Sequence, residues 1–394
     1  MLPTFEHADL SHTPFQRHTG TASEDIITRD AFNTATAEIT AWEGYKPTPL
    51  HQLTSLAAEL GIDDILYKDE GPRFGLGSFK ALGGAYAAER VLQRELSKKL
   101  DIPVSLADIR NGRYVSEAKE ITLVSATDGN HGRSLAWGAQ RFGATCNIYI
   151  HKGVSEGRAE AMRQLGANVI RIDGDYDASV HLARKEADQN GWFVVSDTSW
   201  EGYVDPPLDV MAGYGVMTNE LTNQIHTLPT HIFLQGGVGG LAASVCSALR
   251  QHWGQDAPRV IIVEPNLAAC LFESARNDTI TTVAINDETM MAGLSCGEPS
   301  PIGWKVLREE ASDFIQISDD LVAPSMRLLA NPLGHDPSIE GGESAVAGLA
   351  AAISIALNPK LRDLMGLDKN SKVLLIGSEG ATDKALYEKI MANE

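Results

Sequence analysis

Short apolar, β-branched runs alternate along this chain with longer stretches in which apolar residues return every three or four positions. The runs Ile65–Lys68, Ile121–Ser125, Cys146–Ile150, Asn168–Ile172, Phe193–Ser196, His231–Leu234, Val260–Glu264, Phe314–Ile317 and Lys372–Ile376 predict strands. Ala81–Leu96, Arg158–Leu165, Val180–Asn190 and Leu241–Trp253 predict amphipathic helices between them. Gly166 and Gly191 stand where helices should stop. This alternation is that of a parallel α/β protein. Four of the strands fall between about Leu123 and Ser196, enough for a small sheet of their own, and the rest form a larger sheet drawn from both chain ends. The expected division is a large domain from residues 1–86 and 199–394 with a small α/β domain, 87–198, inserted in it. The cleft between two such lobes is the default binding site.

With 394 residues, 43% of them hydrophobic and 22% charged, the chain has the composition of an ordinary globular protein. Its formal net charge of −19 argues against a nucleic-acid or anionic-membrane surface. No apolar run approaches the roughly 18 residues of a membrane span. The first residues, MLPTFEHADL, carry no signal-peptide pattern. Four cysteines without metal-site spacing read as reduced thiols, so the expected location is cytoplasmic.

Three motifs carry candidate chemistry. In HIFLQGGVGGLAASV a strand runs into a glycine turn and then a helix, the arrangement that lets backbone N–H groups cradle a phosphate. Gly237–Ala242 also satisfies the dinucleotide template, with Glu264 placed as its ribose-binding acid, so a nicotinamide-dependent oxidoreductase is an alternative. In KGVSEG, Ser155 matches a nucleophile elbow but equally suits a helix N-cap. In RFGLGSFKALGGAYAAER, Lys80 joins a glycine-rich turn to a helix and has small or apolar neighbours on both sides. Desolvation there favours a nucleophilic or basic amine. Together with a phosphate loop, such a lysine points to pyridoxal 5'-phosphate.

The order PTPL (Pro47–Leu50), SFK (Ser78–Lys80), GNHG (Gly129–Gly132) and Gly236–Gly240 resembles the fold-type II pyridoxal-phosphate enzymes. Within them, TDGNHGR, DTSWEGY, MAGLSCGEPSPIGW and GGESAVAGL are similar to the ammonia-lyases that act on diaminopropionate. The resemblance implies two open, twisted, mainly parallel sheets flanked by helices, with the larger domain holding the cofactor. It also implies a homodimer, for which exposed apolar segments such as VSLADI (Val104–Ile109) would supply an interface. The implied reaction is β-elimination of 2,3-diaminopropionate, D and L, to pyruvate and two ammonia; a dehydratase acting on serine, threonine or hydroxyaspartate is the neighbouring possibility.

By the same resemblance, Lys80 holds the cofactor and acts as a base, Phe79 packs near its ring, and Asn130 meets its phenolic oxygen. Gly236, Gly237, Val238, Gly239 and Gly240 bind the phosphate, Glu343 faces the ring, and Thr127, Gly129 and His131 lie in the loop that receives the substrate carboxylate. The tail Gly377–Asp383 departs from the pattern, with small residues at Gly377 and Ala381, and leaves the partner of the pyridine nitrogen open between Ser378 and Thr382. Asp128 makes little sense beside a substrate carboxylate except as a base for the opposite face, hence for one enantiomer, the D form; otherwise it is a turn residue. Asp197 is the candidate receptor for the 3-ammonium, or else a capping acid. Cys270 and Cys296 are expected close together, both reduced.

Overall fold

The computed structural model describes residues 2–127, 129–174 and 176–392. Two compact units emerge: residues 1–29, 47–78 and 217–394 form the larger, and 30–46 with 79–216 the smaller. The expected insertion at 87–198 therefore differs in extent, because the helix Lys80–Leu100 packs on the helix Asn130–Phe142 and residues 30–46 join the same unit.

Among the described residues the larger unit holds seven strands: β1 (Ser11–Pro14), β2 (Leu50–Gln52), β3 (Asp64–Asp69), β8 (His231–Gln235), β9 (Arg259–Pro265), β10 (Ala311–Ile317) and β11 (Lys372–Gly377), in the order β1-β10-β9-β8-β11-β3-β2. The smaller holds β4 (Thr122–Ala126), β5 (Thr145–Ile150), β6 (Asn168–Arg171) and β7 (Phe193–Val194), in the order β6-β5-β4-β7. Pairing is parallel except at the two rims of the large sheet, where β1 on β10 and β2 on β3 run antiparallel. All nine expected strands are present. β8 is buried along its whole length, which is why its sequence is a continuous apolar run rather than an alternation. The helix Ala347–Leu357 is apolar all round and sits inside the main core beside Phe233, Ile261 and Val373.

The segment VSLADI needs no partner. Val104, Leu106 and Ile109 are buried within the chain, since Ser105 caps the short helix Leu106–Arg110 and turns them inward. That removes the expected apolar interface.

Two buried polar clusters organise the units. In the larger, Lys68 and Arg73 meet Glu70 and Glu220, all at 0–1% side-chain exposure. Arg73 reaches Glu70 Oε2 at 2.8 Å and Glu220 Oε1 at 2.6 Å, while Lys68 uses its donors on Glu220, Gln224 and the Thr48 carbonyl. The two positive and two negative groups balance, which is what allows them to remain charged away from water. In the smaller unit Glu89 lies beside Glu38, whose oxygens take Arg110 at 2.6 Å and the Trp42 indole at 3.2 Å. Burial first, and the charge of Glu38 second, push Glu89 up to about 9, so it is protonated at neutral pH.

Glu89 binds its proton in the folded chain and loses it, once unfolded, above the ordinary glutamate range. Its contribution to stability is therefore present at low pH and declines as pH rises toward about 9. Glu89→Gln keeps the shape and removes the ionisation. The variant should lose less stability than wild type between pH 5 and pH 8, by about 1 kcal/mol per pH unit. Urea unfolding at three pH values checks this, and parallel pH curves would show that Glu89 is not the linked group.

Candidate active site

Lys80 is reached through a turn that the sequence shapes tightly. Phe74, Gly75 and Gly77 all have positive φ (+50°, +70° and +81°), and Arg73, just before them, is locked into the buried ion cluster. The Gly77 carbonyl accepts from the Gly380 N–H at 2.9 Å, and the Glu70 N–H donates to the Gly377 carbonyl at 2.8 Å, so the turn is laced to the tail motif. The helix then begins at Lys80, and Ala81, Leu82, Gly83 and Gly84 are all buried. A side chain at Gly83 would collide with Tyr214 and Val210, so glycine sets how closely that helix approaches.

The Lys80 ammonium is in contact with the Asp197 carboxylate, and it lies 5.5 Å from the centre of the Phe79 ring and 5.9 Å from that of Tyr214. Burial would raise the pKa of Asp197, but the Lys80 ammonium outweighs it and holds the carboxyl well below the usual range. His131 is buried, and its Nε2 faces the Val195 carbonyl at 2.9 Å, which places the ring proton there. Burial lowers its pKa despite the pull of Asp197, so the 4.0 Å approach of Nδ1 to Asp197 is not an ion pair but a neutral ring beside the carboxylate.

DTSWEGY folds into a clamp that fixes Asp197. The Tyr203 hydroxyl donates to the Val194 carbonyl at 2.9 Å and accepts from the Ser196 N–H at 3.0 Å, while Trp200 stacks on Tyr203 with centroids 3.8 Å apart. Asp197 is held in contact with the Lys80 ammonium. Thr127 Oγ1 accepts from Gly129 N–H at 3.2 Å and Gly132 N–H at 3.3 Å, tying the loop to the start of the helix Asn130–Phe142, where Asn130 is the half-buried first residue. Asp128 lies outside the described residues. Lys80, Phe79, Thr127, Gly129, Asn130, His131 and Asp197 all belong to the smaller unit. Tyr214 joins them without any signal in the sequence except its small neighbours in AGYGV.

The glycine turn, Glu343, Ser378 and Thr382 belong to the larger unit. The turn follows β8 and opens the 14-residue helix Gly240–Trp253, with φ of +59° at Gly237 and +93° at Gly239. The Val238 carbonyl accepts from the Ser300 N–H at 2.9 Å. Glycines at a helix N-terminus form a cradle for an anion, and the turn fits a phosphate. The dinucleotide alternative fails, because both oxygens of Glu264 are taken by the N–H groups of Leu271 and Phe272, at 3.1 and 2.7 Å. Ser155, likewise, is a helix N-cap that accepts from the Arg158 N–H.

Glu343 and Ser378 are buried, whereas Thr382 is half-buried with its N–H on the Gly380 carbonyl. Glu379 and Ser344, which sequence reasoning passed over, join three motifs: Glu379 accepts from the Ser344 N–H at 3.0 Å, and Ser344 Oγ from the Gly293 N–H at 3.1 Å. Cys270 and Cys296 both approach Gly237, and all four cysteines are free thiols.

The chain is similar to several known proteins. The family of pyridoxal-phosphate dependent enzymes matches residues 41–379. The chain is 40% identical over 354 residues, 88% of either chain, to a diaminopropionate ammonia-lyase of Escherichia coli K12. It is also similar to two crystal structures of diaminopropionate ammonia lyase from Escherichia coli. One, in complex with an aminoacrylate-PLP azomethine reaction intermediate, has a TM-score of 0.87 and 37% identity. The other, in complex with D-serine, has a TM-score of 0.88 and 36% identity, and each covers 98% of this chain and 97% of its own.

The missing hydroxyl at Gly377 has a steric cause, because a Cβ there would fall on the ring of the fully buried Tyr67. Gly377→Ser should therefore destabilise the chain by about 1–3 kcal/mol, as overpacking does. Thermal unfolding with and without added pyridoxal phosphate measures it. An unchanged midpoint would mean that Tyr67 can move aside.

Proposed function

The chain belongs to the pyridoxal-phosphate dependent enzymes, and from that premise we propose how its own residues carry out the β-elimination of 2,3-diaminopropionate. The reaction releases the 3-amino group as ammonia and then gives pyruvate and a second ammonia. The observation that carries this reading is the Asp197 carboxylate, clamped by Tyr203 and already seated on an ammonium. A substrate that leaves as an amine needs such a group, and one that leaves as hydroxide does not, which weighs against a serine or threonine dehydratase.

When bound, the cofactor supplies an electron sink for the pair left at Cα. Lys80 would hold it covalently, and Lys68 is no competitor because its ammonium has three partners within 2.9 Å. Gly236, Gly237, Val238, Gly239 and Gly240 would hold the phosphate through backbone N–H groups. Phe79 would pack against the ring, Glu343 would face it and Asn130 would meet the phenolic oxygen. Burial at the end of β11 favours Ser378 over Thr382 for the pyridine nitrogen.

Lys80 would act as the base that takes the Cα proton from its own face. Asp197 receives the 3-ammonium, with neutral His131 keeping a second positive charge out of that position. Thr127, Gly129 and His131 border the substrate carboxylate, and Asp128 is the base for the opposite face. No helix among the described residues is long and apolar enough to cross a membrane. We further infer a cytoplasmic homodimer; free thiols support the compartment, and family resemblance alone supports the dimer.

Asp128→Asn keeps the shape and removes the basicity. Its kcat for D-diaminopropionate should fall by about 10²–10⁴-fold, the range of a lost general base, while kcat for the L form falls much less. Pyruvate release from each isomer, followed by a coupled dehydrogenase, is the measurement. Equal losses on both isomers would make Asp128 a steering residue, and loss of the cofactor absorbance would make it a structural turn residue.

A further inference from the structure

A carboxyl group lies directly beneath the glycine turn. Glu264 is wholly buried at the end of β9, and a Cβ built on Gly236 would come within 2.5 Å of its Cγ and 3.2 Å of its Oε1. The glycine is therefore needed to let the acid sit there. An ionised carboxylate so close to a phosphate cradle would oppose the anion it serves. Among the described residues, the charged side chain that acts on it is another acid, Glu273. Its oxygens take the N–H groups of Leu271 and Phe272, the ionisable groups acting on it are Cys270 and Glu273 of the helix Cys270–Asn277, and Cys296 acts in turn on Cys270. Its neighbour in register on β10 is the neutral Gln316.

The Cys270 thiol connects the acid to the turn. Its Sγ lies 3.8 Å from Glu264 Oε1 and 3.5 Å from the Gly237 carbonyl oxygen. A thiol has one proton and can donate to only one of them. With Glu264 protonated, its O–H points to Sγ and the thiol proton goes to Gly237. With Glu264 ionised, the carboxylate takes the thiol proton and the Gly237 carbonyl loses its donor. The Gly237 carbonyl shares a planar peptide unit with the Val238 N–H, so its orientation also sets the direction of that N–H.

We propose that Glu264 is a positioning residue of the phosphate loop that works in its protonated form, holding the Gly237 carbonyl through the Cys270 thiol. Burial, foremost among the causes, pushes Glu264 up to about 8, in keeping with a neutral acid at physiological pH. The proposal rests on the reading of the glycine turn as the cofactor's phosphate site. It adds that the phosphate site is linked to a proton that the phosphate itself does not carry.

Phosphorus NMR of the holoenzyme tests it, because a phosphate ester has its own second pKa near 6 and is a dianion throughout the window of interest. The bound phosphate resonance should shift through a single titration with a midpoint at or above about pH 8, since a bound dianion disfavours ionisation of the acid further. Glu264→Gln, which keeps the size and removes the ionisation, should hold the resonance constant from pH 7 to 9.5. A flat wild-type resonance over that range, or the same titration in the Gln variant, overturns the proposal. Should that variant fail to fold, Cys270→Ala removes the link, and the amplitude of the wild-type shift should fall at least threefold; an undiminished amplitude overturns the proposal too. A preparation with no bound-phosphate signal at pH 7 removes the cofactor reading and this proposal with it.

Discussion

The Lys80 ammonium sits among small and aromatic side chains, with the Asp197 carboxylate held against it. Much of the smaller unit's chemistry follows from holding that carboxylate still. Tyr203 and Trp200 close the loop over the end of β7, and the Val195 carbonyl fixes the tautomer of His131. A protonated His131 would put a second cation against Asp197 and compete with Lys80, and burial prevents it. In the proposed reaction the same carboxylate serves two ammonium groups in turn, that of the lysine before the cofactor is joined and that of the substrate afterwards.

The larger unit supplies order to the turn that leads into Lys80. The Lys68, Glu70, Arg73 and Glu220 cluster is closed to water and balanced in charge, so it gains little over an apolar core but is costly to break, about 3–5 kcal/mol for loss of one member. Such a cluster specifies position more than it adds stability. It pins Arg73 next to a run of positive-φ residues that would otherwise have many conformations. The hydrogen bonds from Gly380 and Glu70 then tie the turn to residues three hundred positions away.

How much of this could be read beforehand follows from what each feature depends on. The inner strands, β8 above all, were legible because a strand covered on both faces must be apolar throughout. β1 and β2 were not, since three or four residues of mixed polarity at a sheet rim look like loop; Pro14, ending β1, suits only an edge. Lys80 stood out through its small neighbours. Tyr214, Glu379 and Glu89 did not, because each owes its role to partners distant in sequence or to the packing around it, and sequence spacing says nothing of that. Glu264 was visible as an acid ending a strand, but the direction of its side chain, toward Leu271 and Phe272 rather than a ribose, is decided by the following helix. The extent of the smaller unit was misjudged for the same reason: which sheet a helix covers is a property of the fold, and helix Lys80–Leu100 carries no mark of it.

The central claim is that Asp197 is an ammonium receptor, and its most direct test compares two leaving groups on one variant. In Asp197→Asn, kcat/KM for diaminopropionate should fall by about 10²-fold or more, as expected for loss of a charge-pairing group, while any elimination from serine changes by less than about tenfold. Equal losses on both substrates would contradict the claim and reduce Asp197 to a counter-ion for Lys80.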